Sequence, residues 1–497
     1  LDKEIQNLTK AFIAHNADSL KYEAPEGKSS YKVSEKTGSE LLRYGASLKK
    51  YPRGSVRDHI FKSAEALSYF FPCWMMTPAN ISSYLPRKGM FDLVIIDEAS
   101  QMIAPKAIGA IHRSKNLIVV GDENQLPPTS VFQKMDDTFE ENIDMDKHES
   151  ILEFAMGVWR NPRMLQWHYR SKHEDLIRFQ NNFIYDSKLI IPPSTIGHES
   201  QVYGIENHYL KDALYQTGGV NISEADKIIE LILSHSKNKP DKSLGVAVVN
   251  SKQRELILAK LRQEISRSAQ LSEYIEKWKM QDEGLNRFFV QNLERVQGDE
   301  RDVIIVGTVY GRLKDDAPVL NTFGDINKEH GHRRLNVITT RAREKIHLVT
   351  SLKPTDIKNT EKRGSRFLSE YLDYSVTKKI LVSESTFKAP DSPFEEWAIS
   401  QIESLGFIAE PQVGVKGFRI DIGVKHDTMP GYILGIECDG ATYHSSASAR
   451  DRDQLRQEIL EAYGWKIHRI WSTDWLWNPI ETREKLKKVL EDSLVRH

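Results

Sequence analysis

Residues 91–102 read FDLVIIDEASQM, and residues 116–128 read NLIVVGDENQLPP. Residues 93–96 and 117–120 are short apolar runs rich in β-branched side chains. Each leads into an acid, Asp97 in the first case and Asp122, one glycine later, in the second. Runs of this kind predict strands buried on both faces of a parallel sheet, joined by a helical crossover. Ligands of such sheets bind beyond the carboxyl ends of the strands, where both acids fall. Adjacent carboxylates at Asp97 and Glu98 suit nucleotide hydrolysis, one holding Mg²⁺ and one orienting water. Gln125, four residues after Gly121, is placed to touch a terminal phosphate.

This pair of stretches resembles the Walker B element and third motif of superfamily 1 helicases, in the branch typified by the RNA-decay helicases. The resemblance continues downstream. Tyr169 and Arg170 in LQWHYRSKHEDLIRFQNNFIY (165–185) match the pair that opens the second RecA-like domain of that family, and helical spacing follows at Leu176, Phe179 and Phe183. The family's arginine there stabilises charge on the γ-phosphate. LGVAVVN (244–250) predicts a buried strand, and Gln253 and Arg254 on the helix after it are candidates to lie along a nucleic-acid backbone. VQNLERVQGDERDVIIVGTVY (290–310) resembles the fifth motif, with Gln297, Gly298 and Glu300 matching. HRRLNVITTRAREKIHLVTS (332–351) resembles the sixth, with Arg334 in it and Arg341 where the family places a second arginine finger. Asp122, Gln297, Gly298, Glu300 and Arg334 are thereby implied to surround the nucleotide.

The Walker A element is not found. Gly27-Lys28-Ser29 has the right ending, but the required first glycine would be residue 22, which is Tyr22, and no apolar strand precedes it. A phosphate cradle needs a strand feeding a glycine-rich turn that opens a helix. The chain starts at Leu1 without an initiator Met, which predicts further N-terminal sequence or a subunit supplying Walker A. The residues present predict weak ATP hydrolysis, or none, by this chain alone.

From residue 392 the pattern is compact. Ser392-Pro393-Phe394-Glu395 predicts a helix start, and Gly406 its stop. GFRIDIGV (417–424) alternates, YILGIECDG (432–440) follows a turn, and WKIHRIW (465–471) predicts a last strand. Asp421, Glu437 and Asp439 fall at adjacent strand ends, with Glu395 as a fourth acid. Clustered carboxylates repel one another, and hard oxygen ligands select Mg²⁺ or Mn²⁺. The alternative is a set of strand-end acids paired to the arginines of 450–456. This order of elements resembles the PD-(D/E)xK nucleases, and GIECDGATYHSS with ARDRDQLRQEIL resembles very-short-patch-repair endonuclease-like domains. The resemblance implies metal ligation by Asp421 and Glu437. Asp439 stands where the family has its lysine, and His444 where the repair endonuclease has a histidine that acts as base or phosphate contact.

With 69 basic and 70 acidic residues, no global field advertises a polyanionic partner, so nucleic-acid contact must come from local patches. Two cysteines, Cys73 and Cys438, build no disulfide framework and indicate a reducing, cytoplasmic setting. The longest apolar run, near residues 67–76, is too short to span a bilayer. The expected organisation is α/β. The end of a first RecA-like domain with an N-terminal helical segment (1–160) precedes a second RecA-like domain (161–352). A linker (353–391) and a restriction-endonuclease-like domain (392–497) complete the chain. The expected function is part of a DNA helicase–nuclease acting on single-stranded or duplex DNA. The alternative is a non-catalytic nucleic-acid-binding scaffold.

Overall fold

The computed structural model describes residues 72–128, 150–196, 202–328, 330–380, 389–415, 418–439 and 456–495, with a few positions between 55 and 68. The Gly27-Lys28-Ser29 stretch, the acidic segment 134–149, His444, Arg450 and Arg452 lie outside the described residues. The chain divides into two compact units. One comprises residues 1–123 and 127–162, the other residues 124–126 and 163–497.

In the first unit, helix α1 (Pro78–Tyr84) is capped by the Thr77 hydroxyl and starts with Pro78. Strand β1 (Phe91–Ile96), helix α2 (Ala104–Ile111) and strand β2 (Ser114–Val119) form a parallel β–α–β unit, with Ile96 beside Val119. Helix α3 (Ile151–Val158), capped by Ser150, closes one side. Val94, Ile96, Leu117 and Val119 pack with Ala99, Ala107, Ile151 and Leu152. The expectation of burial on both faces is corrected for this sheet. Leu93, Ile95 and Ile118, on the other face, are 43%, 60% and 46% exposed, because no described element covers them. Cys73 and Met75 are exposed as well.

The second unit holds a five-stranded, wholly parallel sheet in the order β3 (Gly204–Tyr209), β7 (Ala342–Thr350), β6 (Arg301–Gly307), β4 (Leu244–Val248), β5 (Phe289–Asn292). Every residue of β4 is buried, as its unbroken apolar run predicts. Helices cover both faces. α5 (Ile222–Asn238), α6 (Ser251–Arg267) and α7 (Ala269–Met280) pack Ile228, Ile232, Ile257, Leu271 and Trp278 against one. The other receives α4 (Arg178–Phe183), α8 (Gly331–Thr339) and α9 (Arg363–Thr377). Helix α9 corrects the expected linker. Phe367, Leu368, Tyr371, Leu372 and Tyr374 are buried, and Phe179 meets Phe367 and Tyr371 edge to face, so this segment belongs to the core of the second unit.

The C-terminal part begins with α10 (Pro393–Ser404), capped by the Ser392 hydroxyl and followed by Gly406 at φ +86°. Its sheet runs β8 (Ile408–Val415), β9 (Phe418–Lys425), β10 (Tyr432–Asp439), β11 (Ile467–Trp471). The first two pairings are antiparallel and the last parallel. Strand β8 was not expected. Pro411 and Gly414 break its pattern, and an edge strand tolerates both because one side of its backbone needs no partner. This sheet packs on residues 190–196. The Tyr432 amide donates to the Thr195 carbonyl (2.7 Å), and the Trp465 indole donates to Pro193 (2.8 Å). Ile190 joins the cluster of Ile420, Leu460 and Trp465. No helix among the described residues is long and apolar enough to cross a membrane.

Candidate active sites

In the first unit the carboxyl ends of β1 and β2 bring Asp97 and Glu98 next to Gly121 and Asp122. The Val120 amide donates to Ile96 (2.8 Å) and the Ala99 amide to Val120 (2.9 Å). Gly121 suits this approach, since a Cβ there would lie a tight 3.1 Å from Leu152 Cδ2 and from the Ser100 nitrogen. Asp97 accepts the Glu98 amide (2.8 Å), and Gln101 donates to Glu98 (2.8 Å). Glu98 itself is left-handed at φ 51°, ψ 40°. That conformation costs a non-glycine residue about 1–3 kcal/mol and is characteristic of functional turns. Both side chains are exposed at the strand end, as required of groups that meet a ligand.

In the second unit Gln297, Gly298, Glu300, Arg170 and Gln125 gather near the turn between β5 and β6. Gly298 takes φ +86° in that turn. Gln297 donates to Gln125 (3.3 Å), and Asn336 donates to the Asn124 carbonyl (3.1 Å). Arg170 Nε donates to Glu300 at 2.6 Å and Arg343 Nε donates to its other oxygen at 3.0 Å. Burial pushes the Glu300 carboxyl up, and the two guanidiniums more than offset it and hold it below its usual range. Arg343 was missed in the sequence, although it stands two residues after Arg341.

Two expectations change here. Arg341 is only 2% exposed, and its Nε donates to the Val337 carbonyl (2.9 Å), so it does not stand out as a finger in this conformation. Arg334 is half-buried, 3.9 Å from Asp325. Gln253 is fully buried and holds the Asn221 backbone at both N–H and C=O (2.8 Å each), while Arg254 donates to the Val290 carbonyl (3.0 Å). Gln253 is therefore a structural clamp and not a nucleic-acid contact.

In the C-terminal sheet Asp421 and Glu437 sit on neighbouring strands, and the Cys438 amide donates to Asp421 (2.7 Å). Glu395 is buried and accepts from the Asp391 amide (2.9 Å) and Gln412 (3.0 Å), so its first task is to fasten the start of α10. Burial, with Glu395 and Asp439 nearby, pushes the Asp421 carboxyl up to about 6. Burial first, then Asp421, push Glu437 up to about 7 despite Arg456. Arg456 Nη1 donates to one oxygen of Glu437 (3.0 Å) with its Nη2 at ion-pair distance from the other, and Arg469 lies 3.3 Å from Asp439.

The three acids are thus neighbours, but they do not present three ligand oxygens within 4.8 Å of one another. The pairing to arginine, weighed above as the alternative, is present for Arg456. The donor set still fits a hard divalent ion. It consists of desolvated carboxylates whose mutual repulsion a cation would relieve, and Arg456 already occupies one such cationic position. Trp475 stacks on Phe394 (5.1 Å) and Trp397 (5.5 Å) as core.

Comparison with known proteins places these geometries. AAA domain families match residues 77–133 and 147–353, and the REase_MTES_1575 family matches residues 394–490. An uncharacterized ATP-dependent helicase of Mycoplasma genitalium is 29% identical over 456 residues, which cover 86% of this chain and 39% of that protein. Helicase sen1 of Schizosaccharomyces pombe is 25% identical over 276 residues, 53% of this chain and 15% of the other. The DNA replication ATP-dependent helicase/nuclease dna2 of the same yeast is 25% identical over 283 residues, 53% of this chain and 19% of the other. The chain spans about two fifths of the length of the Mycoplasma relatives. Residues 77–133 and 147–353 are superfamily 1 helicase domains of the AAA type, with senataxin-like relatives, and residues 394–490 are an endonuclease-like domain of the REase_MTES_1575 family.

Proposed function

We propose that this chain is the later part of an ATP-dependent DNA helicase joined to a divalent-metal-dependent DNA nuclease. The observation that carries the nuclease reading is the pair Asp421 and Glu437. They are adjacent, largely desolvated carboxylates with raised protonation ranges, inside a domain of an endonuclease-like family. Asp421 and Glu437 would hold Mg²⁺ or Mn²⁺, with Asp439 beside them. The ion, when bound, supplies polarisation of the scissile phosphate and a more acidic water. Asp421 is oriented for this by the Cys438 amide, and Glu437 is held by Arg456. That guanidinium can pass from carboxylate to DNA phosphate as both seek the same fork of donors.

For the motor, Asp97 is assigned to Mg²⁺ and Glu98 to the attacking water. Gln125, Gln297 and Arg170 are assigned to the phosphates, and Arg341 becomes a finger only after leaving its buried position. The nucleotide grip that a Walker A element provides is assigned to no residue of this chain.

The test is cleavage of supercoiled plasmid and of single- and double-stranded oligonucleotides with Mg²⁺ or Mn²⁺, wild type against Asp421→Ala. Metal-dependent cleavage that falls by about 100-fold or more in the variant is expected. Cleavage that Asp421→Ala leaves intact rules the site out. The pairing of Arg456 with Glu437 favours a second reading, in which arginines permanently neutralise the acids of a binding scaffold. That reading predicts DNA binding without cleavage by any metal.

A further inference from the structure

A second cluster of metal-type ligands lies away from both candidate active sites, at the open edge of the five-stranded sheet. Glu206 and His208 alternate along the edge strand β3 and so project from one face. His347 sits on the neighbouring strand β7, directly beside Glu206 in the parallel register. His208 Nε2 lies 3.0 Å from His347 Nδ1, Glu206 Oε1 lies 3.5 Å from His208, and Glu206 Oε2 lies 3.6 Å from His347. Among the described residues, this is the one group of three His, Cys, Asp or Glu side chains whose ligand atoms all fall within 4.8 Å.

We infer that Glu206, His208 and His347 form a binding site for a borderline divalent transition-metal ion of the Zn²⁺ class, which staples the edge strand to the sheet. Ligand atoms around a tetrahedral ion with bonds of roughly 2.0–2.1 Å stand about 3.3 Å apart, close to the 3.0 Å between the two imidazole nitrogens and the 3.5 Å from Glu206 Oε1 to His208. The two imidazoles already face each other nitrogen to nitrogen, one donating and one accepting, and on binding an ion the donating ring would carry its proton on its other nitrogen, leaving both facing lone pairs free. Burial, then the neighbouring Lys345, hold His347 down to about 3, which agrees with a neutral ring. Two neutral imidazoles and a carboxylate are a donor set that suits Zn²⁺ rather than Mg²⁺. The His side chains are 13% and 16% exposed and Glu206 is 47% exposed, so an ion can enter from solvent and keep a fourth position open. Lys345 donates to Glu206 Oε2 (2.6 Å), which leaves Oε1, on the His208 side, for the ion.

The experiment titrates the whole chain, stripped of metal, with Zn²⁺ in excess Mg²⁺, so that oxygen-rich sites are filled. It compares wild type, His208→Gln and Glu206→Gln by calorimetry. Co²⁺ replaces Zn²⁺ in a parallel visible-spectrum titration. One Zn²⁺ per chain is expected, with a Zn²⁺-dependent rise in the melting temperature and an affinity loss of about tenfold or more in each variant. Glu206 is half exposed, so Glu206→Gln keeps the fold, and circular dichroism verifies it. Absence of Zn²⁺ uptake by the wild type overturns the assignment, and so does uptake that both folded variants retain unchanged.

Discussion

Glu224 offers a measurement of how the second unit holds the carboxyl ends of its central strands. Its carboxylate is fully buried and accepts the amides of Val309 (2.7 Å) and Ser351 (2.9 Å), which follow β6 and β7, together with the Ser351 hydroxyl (2.9 Å). Val309 is a β-branched residue at φ 69°, a conformation that needs such a tether. Burial pushes Glu224 up to about 7, and the hydrogen bonds to Val309 and Ser351 oppose it.

The sign follows from proton counting. Between an unfolded value of 4.5 and a folded value of about 7, the folded state binds more protons, so stability falls as pH rises through this window. From pH 5 to pH 8 the loss amounts to about 2–3 kcal/mol. Hydrogen exchange of peptides covering residues 303–309 and 346–351, corrected for intrinsic rates, reads it as a fall in protection. In Glu224→Gln the side chain no longer titrates, and this part of the pH dependence disappears. Parallel pH profiles for wild type and variant would refute the account.

Other outcomes are equally definite. Metal-dependent cleavage should fall by more than about tenfold between pH 8 and pH 6 as Glu437 and then Asp421 take up protons, measured as initial rates at subsaturating Mn²⁺. The chain alone should show little ATP hydrolysis with or without single-stranded DNA, and a robust stimulated rate would refute the reading that these residues lack a working phosphate cradle. Trp465→Ala removes a buried indole and its bond to Pro193, costing about 3–5 kcal/mol, visible as a lower melting temperature. Gly431→Ala meets the Thr195 carbonyl at 2.3 Å and a φ of +78°, so it should loosen the same contact.

The legible parts of the sequence were those with a local code. Ser392-Pro393-Phe394-Glu395 marked its helix start because capping involves residues three apart. The apolar run at residues 244–248 marked a central strand because burial on both faces leaves no alternation. Strand β8 was not legible, since Pro411 and Gly414 are tolerated only by virtue of its edge position. Helix α9 looked like a connector because its polar face dominates the composition, while Phe367 and Tyr371 find their partners in α4.

The sequence by itself determined the kinds of domain, their order, and the acids that follow β1 and β2, whereas Asp421, expected at a strand end, lies in the middle of β9. Tertiary structure decided what those acids meet. Glu300 receives Arg170 from 130 residues away, Glu437 is gripped by Arg456, and Glu206 comes to lie beside His347 across a strand pair about 140 residues apart in the chain. Parallel sheets pair strands through long crossovers, so the neighbour of a given side chain is set by strand order and register. Neither quantity is written in the residues that flank it.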